Sequence, residues 1–481
     1  MVEEVVIVER GESRCSSSCA LGDVDVGVTL GEGSVELVGG APVVEQGPQV
    51  SGSRSEHHGR AVERTGDHDL VGEAPGGCGP TTNPSLVAGT DSGHGRTITF
   101  QPMAAGRTPS RFISRGFAAG AFRFAVDAND RDDVDLVERL FADLDRPGPD
   151  EPLTGTYQLD RVEGTVPVEW VIDGPRLEQQ PPLGLAAMLT RFMSAVNIAA
   201  LDLEPGSLHL HAAAAARGGR AVVIAAEQNT GKTTTVSHIV SRGWEFITDE
   251  TVRLGHDDGA VHGFPKPVSI KPGGAHLVEL LVSHMVPAHE VGVDSFHFVA
   301  LGAAGARTAA SAAPMLIVLL RRNEHSSDSP TSREVPAADA VVALMQNTLD
   351  AERHGSAASR LADLVAIAPC VEVTVGPPDE TAALIERLAE APTRPPFSVD
   401  VLPGSPTVDV DVVSVKIDDR MVVHHRRTGQ IFALDPMGSI IWEQLGGWVD
   451  HGIDLAGPGV ADLVGQLASL DVLRDTPGRS R

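Results

Sequence analysis

The run Ala221-Val-Val-Ile-Ala-Ala-Glu-Gln-Asn-Thr-Gly-Lys-Thr233 decides the fold of the central part of this 481-residue chain. It begins with an apolar stretch typical of a buried strand and ends in polar residues around a glycine. An amphipathic segment follows, with Val236, Ile239 and Val240 on one face, and it closes at Gly243. Strand, turn and helix in this order predict an α/β fold.

The turn itself carries a chemical pattern. Residues 226–233 match G-x-x-x-x-G-K-[ST] except at the first position, where Ala226 replaces glycine. Such a loop turns backbone N–H groups toward phosphate oxygens, while its lysine binds phosphate and its hydroxyl binds Mg²⁺. The sequence therefore predicts a site for ATP and Mg²⁺ formed by Ala226, Glu227, Gln228, Asn229, Thr230, Gly231, Lys232, Thr233 and Thr234.

A second apolar stretch, Trp244-Glu-Phe-Ile-Thr, ends in the adjacent carboxylates Asp249 and Glu250. A P-loop enzyme needs a metal ligand and a base at this place, whereas a solvated turn is the ordinary alternative for two acids at a strand end. The position of the pair after the loop and its helix favours the functional interpretation.

The stretch from Leu210-His211 to Val252 resembles the catalytic core of the HPr kinase/phosphorylase family. That family has a histidine, a strand pair, the phosphate loop, a helix ending in Arg-Gly and an acidic pair. Here these positions are His211, Val222–Ala226, Gly231-Lys232-Thr233, Arg242-Gly243 and Asp249-Glu250. The resemblance implies that Asp249 is the catalytic base, that His211 lies near the phosphates, and that Glu250 assists Thr233 at the metal. The family often forms oligomers, so a homo-oligomer is one expectation.

Four lysines occur in the whole chain, Lys232, Lys266, Lys271 and Lys416. Lys266 and Lys271 flank a predicted strand and are candidates for contact with phosphate or an acidic substrate, or else ordinary surface lysines. Arg321 and Arg322 follow the predicted strand Met315–Leu320 and are candidates to bring positive charge to a transferring phosphoryl group.

Residues 421–436 predict two short strands around Thr428-Gly429, followed by a helix with Asp435 as its cap and Pro436 in its first turn. The string Phe432-Ala-Leu-Asp-Pro436 with Ile441-Trp442 resembles the PqqD family, small winged-helix-like modules that bind leader peptides of ribosomally made, modified peptides. The resemblance implies capture of a precursor peptide by strand addition. Its expected contacts are Val422, Val423, Phe432, Leu434 and Trp442. DNA binding and a purely structural cap are the alternatives, and the scarcity of basic groups favours a peptide over DNA.

Composition and pattern divide the chain into five parts. Residues 1–110 predict a disordered segment, or an extension upstream of a true start at Met103. An α/β subdomain (111–205), a P-loop kinase domain of the HPr kinase type (206–390), a Pro-rich linker (391–407) and a small α+β winged-helix-like domain (408–475) follow.

The net charge of −27 argues against a general nucleic-acid binder, because phosphate contacts need clustered lysine and arginine. No apolar run approaches the ~20 residues that span a bilayer. A cytoplasmic protein without a membrane partner is expected. Cys15 and Cys19 with the histidines at 57, 58, 68 and 94 match no standard zinc spacing.

Together these features support one leading hypothesis and two competitors. The leading one is a Ser/Thr kinase that captures its precursor peptide through the C-terminal module, which would raise the local substrate concentration. The competitors are a kinase of a small carrier or regulatory protein, and a degenerate scaffold that binds nucleotide and peptide without chemistry.

Overall fold

A computed structural model describes residues 6–8, 110–256, 258–271, 274–290, 293–322, 328–391 and 397–474. The predicted disorder of residues 1–110 and the cysteine-histidine region fall outside the described residues, apart from one short strand, β1 (Val6–Val8). The described chain is a mixed α/β structure, as the sequence predicts.

An aromatic core organises the first α/β part. Its strands form a sheet in the order β2-β4-β5-β6 with β3 paired to β4, and two helices cover it. The elements are β2 (Phe112–Ile113), β3 (Phe117–Ala119), β4 (Phe122–Ala128), α1 (Arg131–Leu140), β5 (Gly155–Arg161), β6 (Trp170–Asp173) and α2 (Leu185–Asp202). Phe124, Phe141, Tyr157 and Phe192 meet in its centre in edge-to-face and tilted arrangements, with ring centroids 4.8–6.0 Å apart.

Helix α2 is long and apolar enough to cross a membrane by length and composition alone. In the structure its apolar face packs in this aromatic core, because Met188, Leu189 and Phe192 are buried against the sheet. Its hydropathy therefore has a packing explanation.

The central part is built on a nine-stranded sheet, in the order β15-β9-β7-β10-β11-β16-β18-β17 with β8 between β7 and β16. Its strands and helices are β7 (Leu208–Arg217), β8 (Arg220–Ala225), α3 (Lys232–Ser241), β9 (Glu245–Thr248), β10 (Thr251–Leu254), β11 (Val261–His262), β15 (Arg307–Thr308), β16 (Ser311–Arg321), β17 (Thr331–Glu334), α4 (Ala337–Gln346), α5 (Ala357–Ile367), β18 (Cys370–Thr374) and α6 (Pro378–Ala389). Strand β16 runs parallel to both β8 and β18, so the carboxyl ends of these three strands share one edge.

A separate three-stranded sheet has the order β12-β14-β13. Its strands are β12 (Val268–Ile270), β13 (Val286–Glu290) and β14 (Val293–Val299), and three short 3-10 helices occur at Ala275–His284, Gly302–Ala304 and Ala351–Arg353. The sequence predicts an α-helix at the first of these segments. The structure has 3-10 turns there, interrupted by a kink at Val278, which adopts the non-helical angles φ −133° and ψ 41°.

The C-terminal part is an α+β unit with an antiparallel sheet in the order β1-β22-β21-β20-β19. Its elements are β19 (Val399–Val401), β20 (Val412–Ile417), β21 (Arg420–His425), β22 (Ile431–Leu434), α7 (Pro436–Leu445) and α8 (Val460–Ser469). Asp435 caps α7 by accepting a hydrogen bond from the Gly438 N–H at 2.6 Å. The winged-helix likeness of this unit stays a prediction.

Both faces of this small sheet are buried. Met421 and Phe432 pack with helices α7 and α8, whereas Val422 and Ile431 join the same core as helices α4 and α5 of the central part. The sheet is therefore covered on both sides, unlike an antiparallel sheet with one face in water.

Candidate nucleotide and phosphoryl-transfer site

The loop between β8 and α3 adopts the conformation that its glycine permits. Gly231 has φ +110° and stands at the N-cap of α3, where a side chain would be strained. Asn229 also has a positive φ, +66°, which asparagine tolerates better than most residues. Ala226 is buried and has no positive φ. The replacement of glycine by alanine at position 226 is thus compatible with the turn.

The first turn of α3 offers the positive end of a helix to this loop. The N–H groups of a first helical turn have no partner within the helix, and no acidic residue occupies this one. Thr230, Gly231, Thr233 and Thr234 are partly buried around it, while Glu227, Gln228 and Asn229 are exposed at the rim. This arrangement suits an anion at the helix start.

The Lys232 ammonium lies across the mouth of the loop. Its Nζ donates hydrogen bonds to the carbonyl oxygens of Ala226 at 2.7 Å and Glu227 at 3.2 Å. Burial, and then the nearby charge of Lys271, lower the pKa of Lys232 to about 8. A phosphate bound in the loop would stabilise the charged form of Lys232, which burial disfavours in the free loop.

The end of β9 brings a carboxylate to the same place. Thr233 Oγ1 donates to Asp249 Oδ2 at 3.2 Å, and Asp249 is only 6% exposed. Burial raises the pKa of the Asp249 carboxyl, an effect that the Lys266 charge opposes. A hydroxyl and a carboxylate at hydrogen-bond distance fit two of the oxygen ligands that Mg²⁺ takes, with phosphate and water left to supply the others. Among the described residues no group of three or more His, Cys, Asp or Glu side chains could hold a metal ion by itself.

Lys266 is buried between the two acids, not exposed on the surface. Its Nζ lies 2.9 Å from Asp249 Oδ1 and 2.9 Å from Glu250 Oε2, and its side chain is 4% exposed. Burial disfavours its charge, but the two carboxylates outweigh burial and raise the pKa of Lys266. The same charge lowers the pKa of Glu250. The sequence names Lys266 only as a candidate for contact with phosphate or an acidic substrate. Its place in a Pro-Lys-Pro segment of a lysine-poor chain is the signal that points to a special role.

His211 lies near this group, on β7 opposite Thr251 of β10. Burial, followed by the charge of Lys232, lowers the pKa of its imidazole and favours the neutral form of the ring. The structure thus gathers His211, Lys232, Thr233, Asp249 and Glu250 at one place.

Two further cations border the loop. Lys271, just after β12, hydrogen-bonds the Asn229 side chain, and Arg321, at the end of β16, lies 4.0 Å from the Glu227 carboxylate. Arg321 also pairs with Glu372 at 2.9 Å. Arg322 follows it and is exposed.

The other end of α3 is held by a partly buried carboxylate of α6. Glu386 accepts hydrogen bonds from Arg217 at 2.7 Å and the Trp244 indole at 2.9 Å, and it pairs with Arg242 at the C-cap. His238 of α3 also contacts Asp379 of α6 at 2.7 Å. These contacts fix the helix whose first turn forms the site.

The side chains expected to contact a peptide are core residues. The structure buries all of them to 1% exposure or less: Val422, Val423, Phe432, Leu434 and Trp442. Since both faces of the sheet are covered, these side chains offer no contact surface. Strand pairing could then use only backbone groups at the edges of the sheet, and at the β22 edge β1 pairs in antiparallel register, Val6 opposite Ala433 and Val8 opposite Ile431.

Comparison with known proteins gives limited similarity. No family model and no curated protein matches the chain. Among solved structures, the Hpr(Ser) kinase/phosphatase from Coxiella burnetii is similar, with 14% sequence identity, coverage of 38% of this chain and 93% of that chain, and a TM-score of 0.20. At this level of similarity, the role of the site rests on its own geometry.

Proposed function

We propose that the chain is a P-loop phosphotransferase that moves the γ-phosphoryl group of ATP to a Ser or Thr hydroxyl. One observation carries the proposal: the Thr233 hydroxyl meets the Asp249 carboxylate at 3.2 Å, directly beside the Lys232 ammonium and the first turn of α3. Phosphoryl transfer requires this set of a phosphate cradle, a lysine, a metal-binding hydroxyl and a carboxylate.

Each residue has a separate task in the proposed reaction. The backbone N–H groups of residues 227–233 and the Lys232 ammonium hold the β- and γ-phosphates, with Lys232 leaving the carbonyls of Ala226 and Glu227. Thr233 would hold Mg²⁺ together with phosphate oxygens and water, and the metal would neutralise charge on the phosphate oxygens when it is bound.

Transfer breaks the bond from the γ-phosphorus to the β,γ-bridging oxygen and forms one to the acceptor oxygen. The acceptor proton passes to Asp249, whose pKa is raised by burial and which therefore accepts a proton more readily than an exposed aspartate. Neutral His211 adds no positive charge to the site.

We further propose that the acceptor is a precursor peptide captured by the C-terminal unit. The observation in favour is that β22 takes a short antiparallel strand, Val6–Val8, at its outer edge. A leader segment would pair with the same backbone groups. A small carrier protein as acceptor is the alternative.

The experiment on nucleotide binding uses ATP itself. Isothermal titration of the full chain with ATP and Mg²⁺, beside the Lys232→Met variant, should show saturable binding by the wild type. The variant should bind about 10- to 100-fold more weakly, because a charge-assisted contact is lost. Absence of binding to the wild type would refute the proposal. Binding without phosphoryl transfer to any tested hydroxyl would instead support a scaffold.

A further inference from the structure

Lys266 reaches the site on a stiff segment. It stands between Pro265 and Pro267, whose rings fix φ, and its backbone N–H donates to the Phe264 carbonyl at 2.9 Å. The segment leads directly into β12, so the position of the ammonium is set by the backbone as well as by its ion pairs.

The atoms that Lys266 holds are those that a second metal ion would need. In two-metal phosphoryl-transfer sites the ions lie about 3.5–4 Å apart and share carboxylate ligands. Here Asp249 Oδ2 faces Thr233, while Asp249 Oδ1 and Glu250 Oε2 both contact the Lys266 ammonium at 2.9 Å. A cation already fills the bridge between the two acids, and it repels a second one.

We infer that Lys266 is a built-in replacement for a second divalent cation, so that the site takes one Mg²⁺ with each ATP. This inference rests on the proposed function. Lys266 is then a positioning residue: it holds one oxygen of Asp249, leaves the other facing Thr233 to accept the proton, and holds Glu250 in an ion pair. On this inference Glu250, which the sequence predicts to be a metal-associated carboxylate, is instead held by its ion pair with Lys266.

The two types of site differ in their dependence on free metal. A lysine is always in place, whereas a second ion binds only when enough free metal is present. Once ATP is saturated as its Mg²⁺ complex, further Mg²⁺ should not raise the transfer rate.

The experiment counts Mn²⁺, a spectroscopic probe for Mg²⁺, by electron paramagnetic resonance in the presence of a non-hydrolysable ATP analogue. The full-length wild type should bind one Mn²⁺ per chain. Lys266→Met should bind two, because Asp249 and Glu250 become free to share an ion. The double variant Lys266→Met/Glu250→Gln should return to one.

The outcomes separate the inference from the proposed function. Two Mn²⁺ per wild-type chain, or one per Lys266→Met chain that still binds the analogue, would overturn the inference alone. If Lys266→Met does not fold, Glu250→Gln in the wild-type background decides: an unchanged count of one supports the inference, and loss of the ion overturns it. No binding of the analogue to the wild type would overturn the proposed function and this inference with it.

Discussion

Replacing Lys232 by methionine should change stability and nucleotide binding in opposite directions. The folded state lowers the pKa of Lys232 from 10.5 to about 8, so its charge is unfavourable in the free protein. A shift of this size corresponds to about 3 kcal/mol, which screening at the open mouth of the loop reduces to about 2 kcal/mol. The lost hydrogen bonds to Ala226 and Glu227 offset about 1 kcal/mol. Lys232→Met should therefore raise the free energy of unfolding by about 1 kcal/mol at pH 7.

The direction of this stability change can be tested by varying the pH. Because the folded pKa lies below the unfolded value, the penalty is fully present below pH 8. It disappears as the pH rises from 8 to 10.5, since the folded lysine loses its proton first. The stability difference between variant and wild type should shrink over this range, measured by urea unfolding at pH 7 and pH 10.

Lys416→Met is a matched control, because Lys416 pairs with the buried Glu443 at 2.6 Å far from the loop in sequence. It should lower stability and leave ATP affinity unchanged. A Lys232→Met variant that is less stable than wild type at pH 7, or that binds ATP as tightly, would refute the reasoning.

Three further predictions concern separate parts of the structure. Gly231→Ala should lower the free energy of unfolding by about 1 kcal/mol or more, because alanine is strained at the φ of +110° that Gly231 adopts. The same change should weaken ATP binding. Thermal melting would measure the first effect and calorimetric titration the second. Thr233→Val should abolish the gain in ATP affinity that Mg²⁺ gives and leave ATP binding without Mg²⁺ unchanged. Equal losses of ATP affinity with and without Mg²⁺ would contradict a metal-binding role of the Thr233 hydroxyl. A fluorescent peptide with the sequence of residues 1–10 should bind the full-length Ile7→Pro/Val8→Pro variant better than the wild type. One of the two prolines removes a backbone N–H that faces β22, so β1 pairs less well and the edge of β22 becomes available to the peptide. Equal binding of the peptide to both proteins would argue against strand addition at β22.

The strand, loop and helix of the site could be predicted from local sequence. The apolar run before residue 226 forms β8, α3 begins at Lys232, and Gly243 ends the helical segment with φ +92°. Local patterns suffice here because the strand, the left-handed glycine and the helix are each determined within a few residues.

The contacts of Lys266 could not be predicted from the sequence, because they depend on how the segment before β12 packs against the residues that follow β9. The Pro-Lys-Pro sequence does not by itself predict that Lys266 forms ion pairs with Asp249 and Glu250. The sequence also could not predict that both Val422 and Phe432, on opposite faces of the sheet, are buried. Alternation within a strand shows that a face is apolar, but only the tertiary structure shows that α4 and α5 cover the second face.

The decisive measurement for phosphoryl transfer follows ³²P from γ-labelled ATP to a peptide library containing Ser and Thr, with wild type and Asp249→Asn compared at saturating Mg²⁺ and ATP. The wild type should label Ser or Thr. Labelling by the variant should fall by about 100-fold or more, while its ATP affinity stays near that of the wild type. Equal labelling by Asp249→Asn, or no labelling by a wild type that binds ATP, would contradict the proposed function.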